Sequence, residues 1–173
     1  MPCTVWATES ADYKAFFDAV TNGHLQEVKA SLNSSINLNA LLGDGLEGYA
    51  ALHIAVEKIH VDVVQLLLAS GAFVDVLAIS RFGSTTPLHL AAEHARPTLV
   101  KLLLDHGANP NAIGEFDGTA LHMVLVHTLR VDTAHIETIK LLLDYGVEID
   151  ALAEEIGGTV VSHETLVEAY LES

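Results

Sequence analysis

The sequence predicts an all-α fold, an α-solenoid of stacked helix-turn-helix units with hairpin-like loops. First, a block built around Leu-His begins at residues 51, 87 and 120, so that its histidines are 36 and 33 residues apart. Second, a Leu-Leu-Leu run followed by a glycine recurs at 66–71, 102–107 and 141–146. Third, half of the 173 residues are hydrophobic, which is enough for a sizeable core. A fixed period of this length indicates a repeat array.

Each unit is predicted to be a short first helix, a turn and a bulkier second helix. In the third unit Thr86 is the expected N-cap and Pro87 the first helical residue. Pro97 opens the second helix, in which Leu103 is expected to be buried, and Gly107 ends it in the left-handed conformation.

The spacings divide the chain into a single domain of four units at about 11–41, 42–77, 78–112 and 113–151, followed by a capping segment at 152–173. The capping segment is needed because the end of a solenoid would otherwise expose its core.

Irregular spacings locate the insertions. Three extra residues in each of the loops 41–48 and 77–84 predict long hairpin tips, and 126–135 is expected to form an expanded turn in the fourth unit. Apolar residues of 162–171 share one helical face and predict a closing helix.

The Thr-Pro-Leu-His-Leu-Ala-Ala run at 86–92, the run at 102–111 that ends in Gly-Ala-Asn-Pro-Asn, and the period near 33 together resemble the ankyrin repeat. The resemblance covers nearly the whole chain. The pairs Ala50-Ala51 and Thr119-Ala120 depart from the Thr-Pro pattern, so we expect less rigid helix starts there. The resemblance implies a protein-binding module whose hairpin tips and inner helices line a concave face.

Transferred by repeat position, the resemblance assigns partner binding to a row of residues on three units. They are Leu46, Glu47, Tyr49, Glu57, Lys58, Arg81, Phe82, Thr85, Glu93, His94, Glu115, Phe116, Val126 and His127. Phe82 and Phe116 are the most informative, because aromatic residues at loop tips are typical interface anchors. The alternative is that each ring folds back on its own hairpin, as single exposed apolar residues are ordinary.

The charge balance limits the classes of partner that the chain is expected to bind. Eight Lys and Arg against 23 Asp and Glu give a net charge of −15, which disfavours nucleic acid and anionic membranes. After Lys140 the chain contains eight carboxylates and no Lys or Arg, which indicates either a solvated end or attraction of a partner with a basic surface.

Cys3 is the only cysteine, which excludes a disulfide framework within the chain. With no secretory signal or membrane span in sequence, the expected location is cytoplasmic or nuclear, or a host cell for an effector.

Ten histidines raise the alternative of a small histidine-dependent metal protein or enzyme. His53, His89 and His122 occupy one repeat position, where the resemblance implies hydrogen bonds to neighbouring loop backbone. His127 and His135, both in the predicted turn, are weak evidence for a metal site. No nucleophile or phosphate-loop motif is present, so the sequence predicts no catalytic residue, metal or cofactor.

The leading hypothesis is therefore a monomeric, non-catalytic protein-protein interaction module that acts as adaptor, inhibitor or effector. A third possibility rests on the resemblance alone, namely that Asn111 is the substrate of an asparaginyl hydroxylase.

Overall fold

The computed structural model describes residues 11–32, 36–43, 47–80, 83–114, 118–126, 132–148, 153–156, 159–162 and 168. Within these residues eight helices form four consecutive helix-turn-helix pairs, which confirms the predicted repeat architecture. The pairs are α1 (Ala11–Asn22) with α2 (Leu25–Ser31), α3 (Ala51–Glu57) with α4 (Val61–Ala69), α5 (Pro87–Glu93) with α6 (Pro97–Asp105), and α7 (Ala120–Val126) with α8 (Thr133–Asp144).

The helices form two layers. The first helices of the four pairs, α1, α3, α5 and α7, pack on one another in chain order to make the inner layer. The second helices lie outside them, where α2 contacts α4 and α6 contacts α8. Each second helix also packs on its own first helix, and buried leucines fill the space between the layers. Leu103 is fully buried there, as the apolar pattern predicted.

The loops between units add β-structure that the all-α prediction lacked. Four short strands form one antiparallel sheet in the order β1 (Leu41–Gly43), β2 (Gly48–Ala50), β3 (Ala78–Ser80) and β4 (Gly83–Thr85). Pairing of Gly48 with Ile79 joins the two hairpins. The long connections supply enough extended backbone for these pairings, which satisfy N–H and C=O groups that a bare loop would leave to water. All-α is therefore only an approximate description.

The C-terminal segment also departs from expectation. Strands β5 (Ala153–Ile156) and β6 (Thr159–Ser162) pair as an antiparallel hairpin at the start of the predicted capping segment. The β-branched run from Thr159 to Val161 favours a strand over a helix. Of the predicted closing helix, Glu168 is helical, whereas 163–167 and 169–171 lie outside the described residues.

The predicted helix ends of the third unit are confirmed. The Thr86 hydroxyl caps α5, Pro87 is its first residue, and Gly107 has a φ of 85° after α6. In the fourth unit, by contrast, His135 belongs to α8 rather than to an expanded turn. The reason is that Asp132 caps α8, accepting from the backbone N–H groups of Ala134 at 2.9 Å and His135 at 3.1 Å.

Candidate partner-binding surface

Two of the repeated histidines tie the inner helices α3 and α5 to backbone of the next unit. The Nε2 of His53 donates to the Thr85 carbonyl at 3.0 Å, and the Nε2 of His89 donates to the Gly118 carbonyl at 3.2 Å. Both rings are buried. A carbonyl can only accept, so each Nε2 bears the proton and each Nδ1 is left as an acceptor. These two side chains therefore have a structural use.

The Nδ1 acceptor is satisfied in the third unit but not in the second. Nδ1 of His89 lies 2.7 Å from the Thr86 hydroxyl oxygen and accepts from the Thr86 N–H at 3.3 Å. Nδ1 of His53 has no hydrogen-bond partner, because Ala50 has no hydroxyl at the position of Thr86. Burial lowers the pKa of His53 to about 4, although its bond to the Thr85 carbonyl acts in the opposite direction. His53 is thus neutral at pH 7.

Metal binding gains no support from the described part of the chain, which contains no group of three or more His, Cys, Asp or Glu side chains able to hold an ion. His135, one of the two histidines considered for a metal site, bonds through Nδ1 to the Asp132 carboxylate at 2.7 Å. That bond lowers the pKa of Asp132. His127 lies outside the described residues.

The first hairpin exposes an apolar pair. Leu42 and Tyr49 are directly opposite each other in the antiparallel register and are 43% and 37% exposed. The Tyr49 ring meets the His53 ring edge-on, with centroids 6.2 Å apart, and this contact orients it. Tyr49 was predicted as a partner-binding residue, whereas Leu42 was missed. Strand alternation after buried Leu41 would have found it, once the strand itself was known.

The ends of two neighbouring inner helices meet in a hydrogen-bonded pair of side chains. The His94 Nε2 lies 3.1 Å from the Glu57 carboxylate, and both side chains are about half exposed. The structure thus brings together two predicted residues from consecutive units. Lys58 is exposed beside Glu57, and Glu93 is half-buried beside His94. This arrangement puts the charges of the second and third units on one continuous stretch of surface.

Thr85 does not belong on an exposed surface. Its side chain is only 8% exposed, and its carbonyl accepts from His53. It is the last residue of β4, the strand that leads into α5. Glu47 is half-buried immediately before β2. The remaining predicted residues, Leu46, Arg81, Phe82, Glu115, Phe116 and His127, lie outside the described residues, as does the side chain of Val126.

We use the name inner surface for the exposed and half-exposed residues of the first hairpin and of the ends of α3 and α5. Its members are Leu42, Glu47, Tyr49, Glu57, Lys58, Glu93 and His94.

Asn111 links the third and fourth units. Its side-chain amide donates to the Gly146 carbonyl at 3.1 Å, and its side-chain oxygen accepts from the Glu148 N–H at 2.7 Å. Asp75 makes the corresponding bond to the N–H of Asn109, one unit earlier. These bonds show a structural use for the Asn111 side chain, and its hydroxylation stays a prediction.

No helix among the described residues is long and apolar enough to cross a membrane. Comparison with curated proteins finds no match. The family model described as Ankyrin repeats (3 copies) matches residues 5–78 and 77–153, which together include all four helix pairs. The chain therefore belongs to the ankyrin repeat family, whose repeats are generally protein-protein interaction modules.

Proposed function

We propose that this chain is a non-catalytic adaptor, inhibitor or effector that binds another protein through the inner surface. The observation that supports this most is the exposed pair Leu42 and Tyr49 on the first hairpin. The inner surface also includes the paired polar side chains of Glu57 and His94, at the ends of the inner helices α3 and α5. Apolar side chains surrounded by a polar rim are typical of interfaces in which a few anchors supply most of the binding energy.

The charges of the inner surface favour a partner with a basic surface. Glu47, Glu57 and Glu93 are its carboxylates, against the one ammonium of Lys58 and the imidazole of His94. The net charge of −15 adds a long-range field of the same sign. Such a field speeds association with a cationic segment and repels a second copy of this chain, which supports the proposal that the protein is a monomer.

Phe82 and Phe116 extend the proposal to the loop tips that the sequence predicts in the third and fourth units. Their assignment rests on repeat position in the sequence. If both rings are anchors one unit apart, one extended or helical partner can engage both, and loss of either ring weakens binding without loss of the fold.

The test is a titration against the protein recovered by affinity purification, with Tyr49→Ala, Phe82→Ala and Phe116→Ala as variants. Each is expected to weaken binding by at least about thirtyfold, the effect of losing an interface hot spot. Gln65→Ala, an exposed position on the outer helix α4, is the matched control. Circular dichroism should stay native throughout. Unchanged affinity in all three aromatic variants would contradict the proposal.

The proposed location is the cytoplasm or nucleus, or a host cell for an effector. A histidine-dependent metal protein is the competing candidate, and mass spectrometry of the purified protein separates the two. Stoichiometric zinc would refute the binding-only proposal.

A further inference from the structure

Ile59 has a backbone conformation that its residue type disfavours. It lies in the turn between α3 and α4 with a φ of 61°, in the left-handed region. A β-branched side chain there is a true outlier, because its branches crowd the backbone. The corresponding turn of the first unit has Gly23, with a φ of 69°, which is the residue this conformation favours.

The strain at Ile59 is not offset by burial. The third unit has Ala95 at this position, also in the left-handed region, with a φ of 45°. Ala95 is buried, at 4% exposure, whereas Ile59 is 45% exposed and lies outside the hydrophobic core. Neither backbone preference nor the hydrophobic core therefore accounts for an isoleucine here.

The Ile59 side chain lines a depression between the turns of the first and second units. The depression has a volume of about 310 Å³, and half-buried Leu25 and Val61 make its apolar wall together with Ile59. Asp62, which is exposed in the first turn of α4, is the one carboxylate among the described lining residues, and none of these is Lys or Arg.

A hydrogen bond between the two units holds His60, one of the residues that line the depression. His60 Nε2 donates to the Thr21 carbonyl at 3.0 Å, across the two units. A Cβ at Gly23 would lie 2.7 Å from the His60 ring, so the glycine makes room for this bond. A preformed depression of this kind binds with little loss of conformational freedom.

We propose that Ile59 anchors a basic segment of the protein partner, with an apolar side chain of that segment against Ile59, Leu25 and Val61 and a cationic one beside Asp62. This inference rests on the proposed function, because the exposed Ile59 directly follows the exposed Lys58, a member of the inner surface. The partner's positive charge follows from Asp62 and from the net charge of −15.

A synthetic peptide with the sequence Arg-Arg-Leu-Arg-Arg is a suitable first probe, observed through the methyl resonances of the protein. Saturable shifts are expected at Ile59, Leu25 and Val61, and not with Glu-Glu-Leu-Glu-Glu or Arg-Arg-Ser-Arg-Arg. Ile113, which is 53% exposed, is the matched control methyl. Equal shifts at Ile113 and Ile59, or none at Ile59, would overturn the proposal.

Ile59→Gly adds a second readout. It should raise the denaturant midpoint by relieving the strain, while peptide binding weakens at least about fivefold. Ile113→Ala should leave binding unchanged. A raised midpoint with unchanged binding would overturn the anchor role. With the recovered partner, an effect of Tyr49→Ala without an effect of Ile59→Gly would refute this inference alone, whereas no effect of either would count against both proposals.

Discussion

Ala50→Thr should stabilise the protein by completing a hydrogen bond that the second unit lacks. The backbone is already suitable, since Ala50 has φ and ψ of −74° and 161°, close to the −100° and 163° of Thr86. A threonine hydroxyl at position 50 would reach the buried Nδ1 of His53, as that of Thr86 reaches Nδ1 of His89 at 2.7 Å. It would also cap α3, which has no side-chain cap.

The expected gain is about 1 to 2 kcal/mol. An N-cap threonine in place of alanine contributes about 0.5 to 2 kcal/mol, and an unsatisfied buried polar atom costs about 1 to 3 kcal/mol. The two values describe one hydroxyl and do not add. Ala50 is fully buried, so accommodating the added atoms offsets part of the gain. For a chain of this length each kcal/mol raises Tm by about 2 to 4 °C.

Urea denaturation of the wild type, Ala50→Thr and Ala50→Val measures the effect. Valine has nearly the shape of threonine without its hydroxyl, so it isolates the contribution of packing. We expect a higher midpoint for threonine and an unchanged or lower one for valine. Equal stabilisation by both would refute the hydrogen-bond argument, and a lower midpoint for threonine would show that position 50 has no room for the cap.

Three further predictions concern stability. His53 has a folded-state pKa of about 4, below its ordinary 6.5. As pH falls from about 6.5 towards 4, the unfolded chain therefore binds a proton at this histidine before the folded protein does, and the free energy of unfolding decreases. The difference between the two pKa values corresponds to about 3 kcal/mol of stability. A urea midpoint that is no lower at pH 5 than at pH 7 would contradict this prediction. Leu103→Ala should destabilise by about 2 to 5 kcal/mol, because Leu103 is fully buried, and an unchanged midpoint would show that it is not core. Gly107→Ala should cost about 1 kcal/mol through backbone strain alone, since a Cβ there meets nothing within 4 Å, and no loss of Tm would refute this.

The features that sequence predicted best depend on local chemistry. Thr86 and Pro87 determine where α5 begins, and Gly107 adopts the conformation that ends α6, without help from distant residues. The burial of Leu103 followed from helical periodicity in the same way. The repeat spacing then predicted the corresponding helices of the other units.

The features that sequence missed depend on contacts between segments far apart in the chain. The four-stranded sheet depends on the pairing of Gly48 with Ile79, whereas the position of Leu42 opposite Tyr49 depends on the pairing of β1 with β2. Thr85 is buried at the end of β4, where it pairs with Ala78 of β3. The departure of Ala50 from the family pattern was visible in the sequence, but the unpartnered Nδ1 of His53 required the structure.

Site-specific photo-crosslinking tests the proposed binding function most directly. A photoreactive phenylalanine analogue at Tyr49 reports on the inner surface, and the same analogue at Gln65 reports on exposed positions of the outer helix layer. Irradiated in the presence of the recovered partner, the protein should crosslink to it from position 49 and not from position 65. Crosslinking from position 65 alone would contradict the assignment of binding to the inner surface.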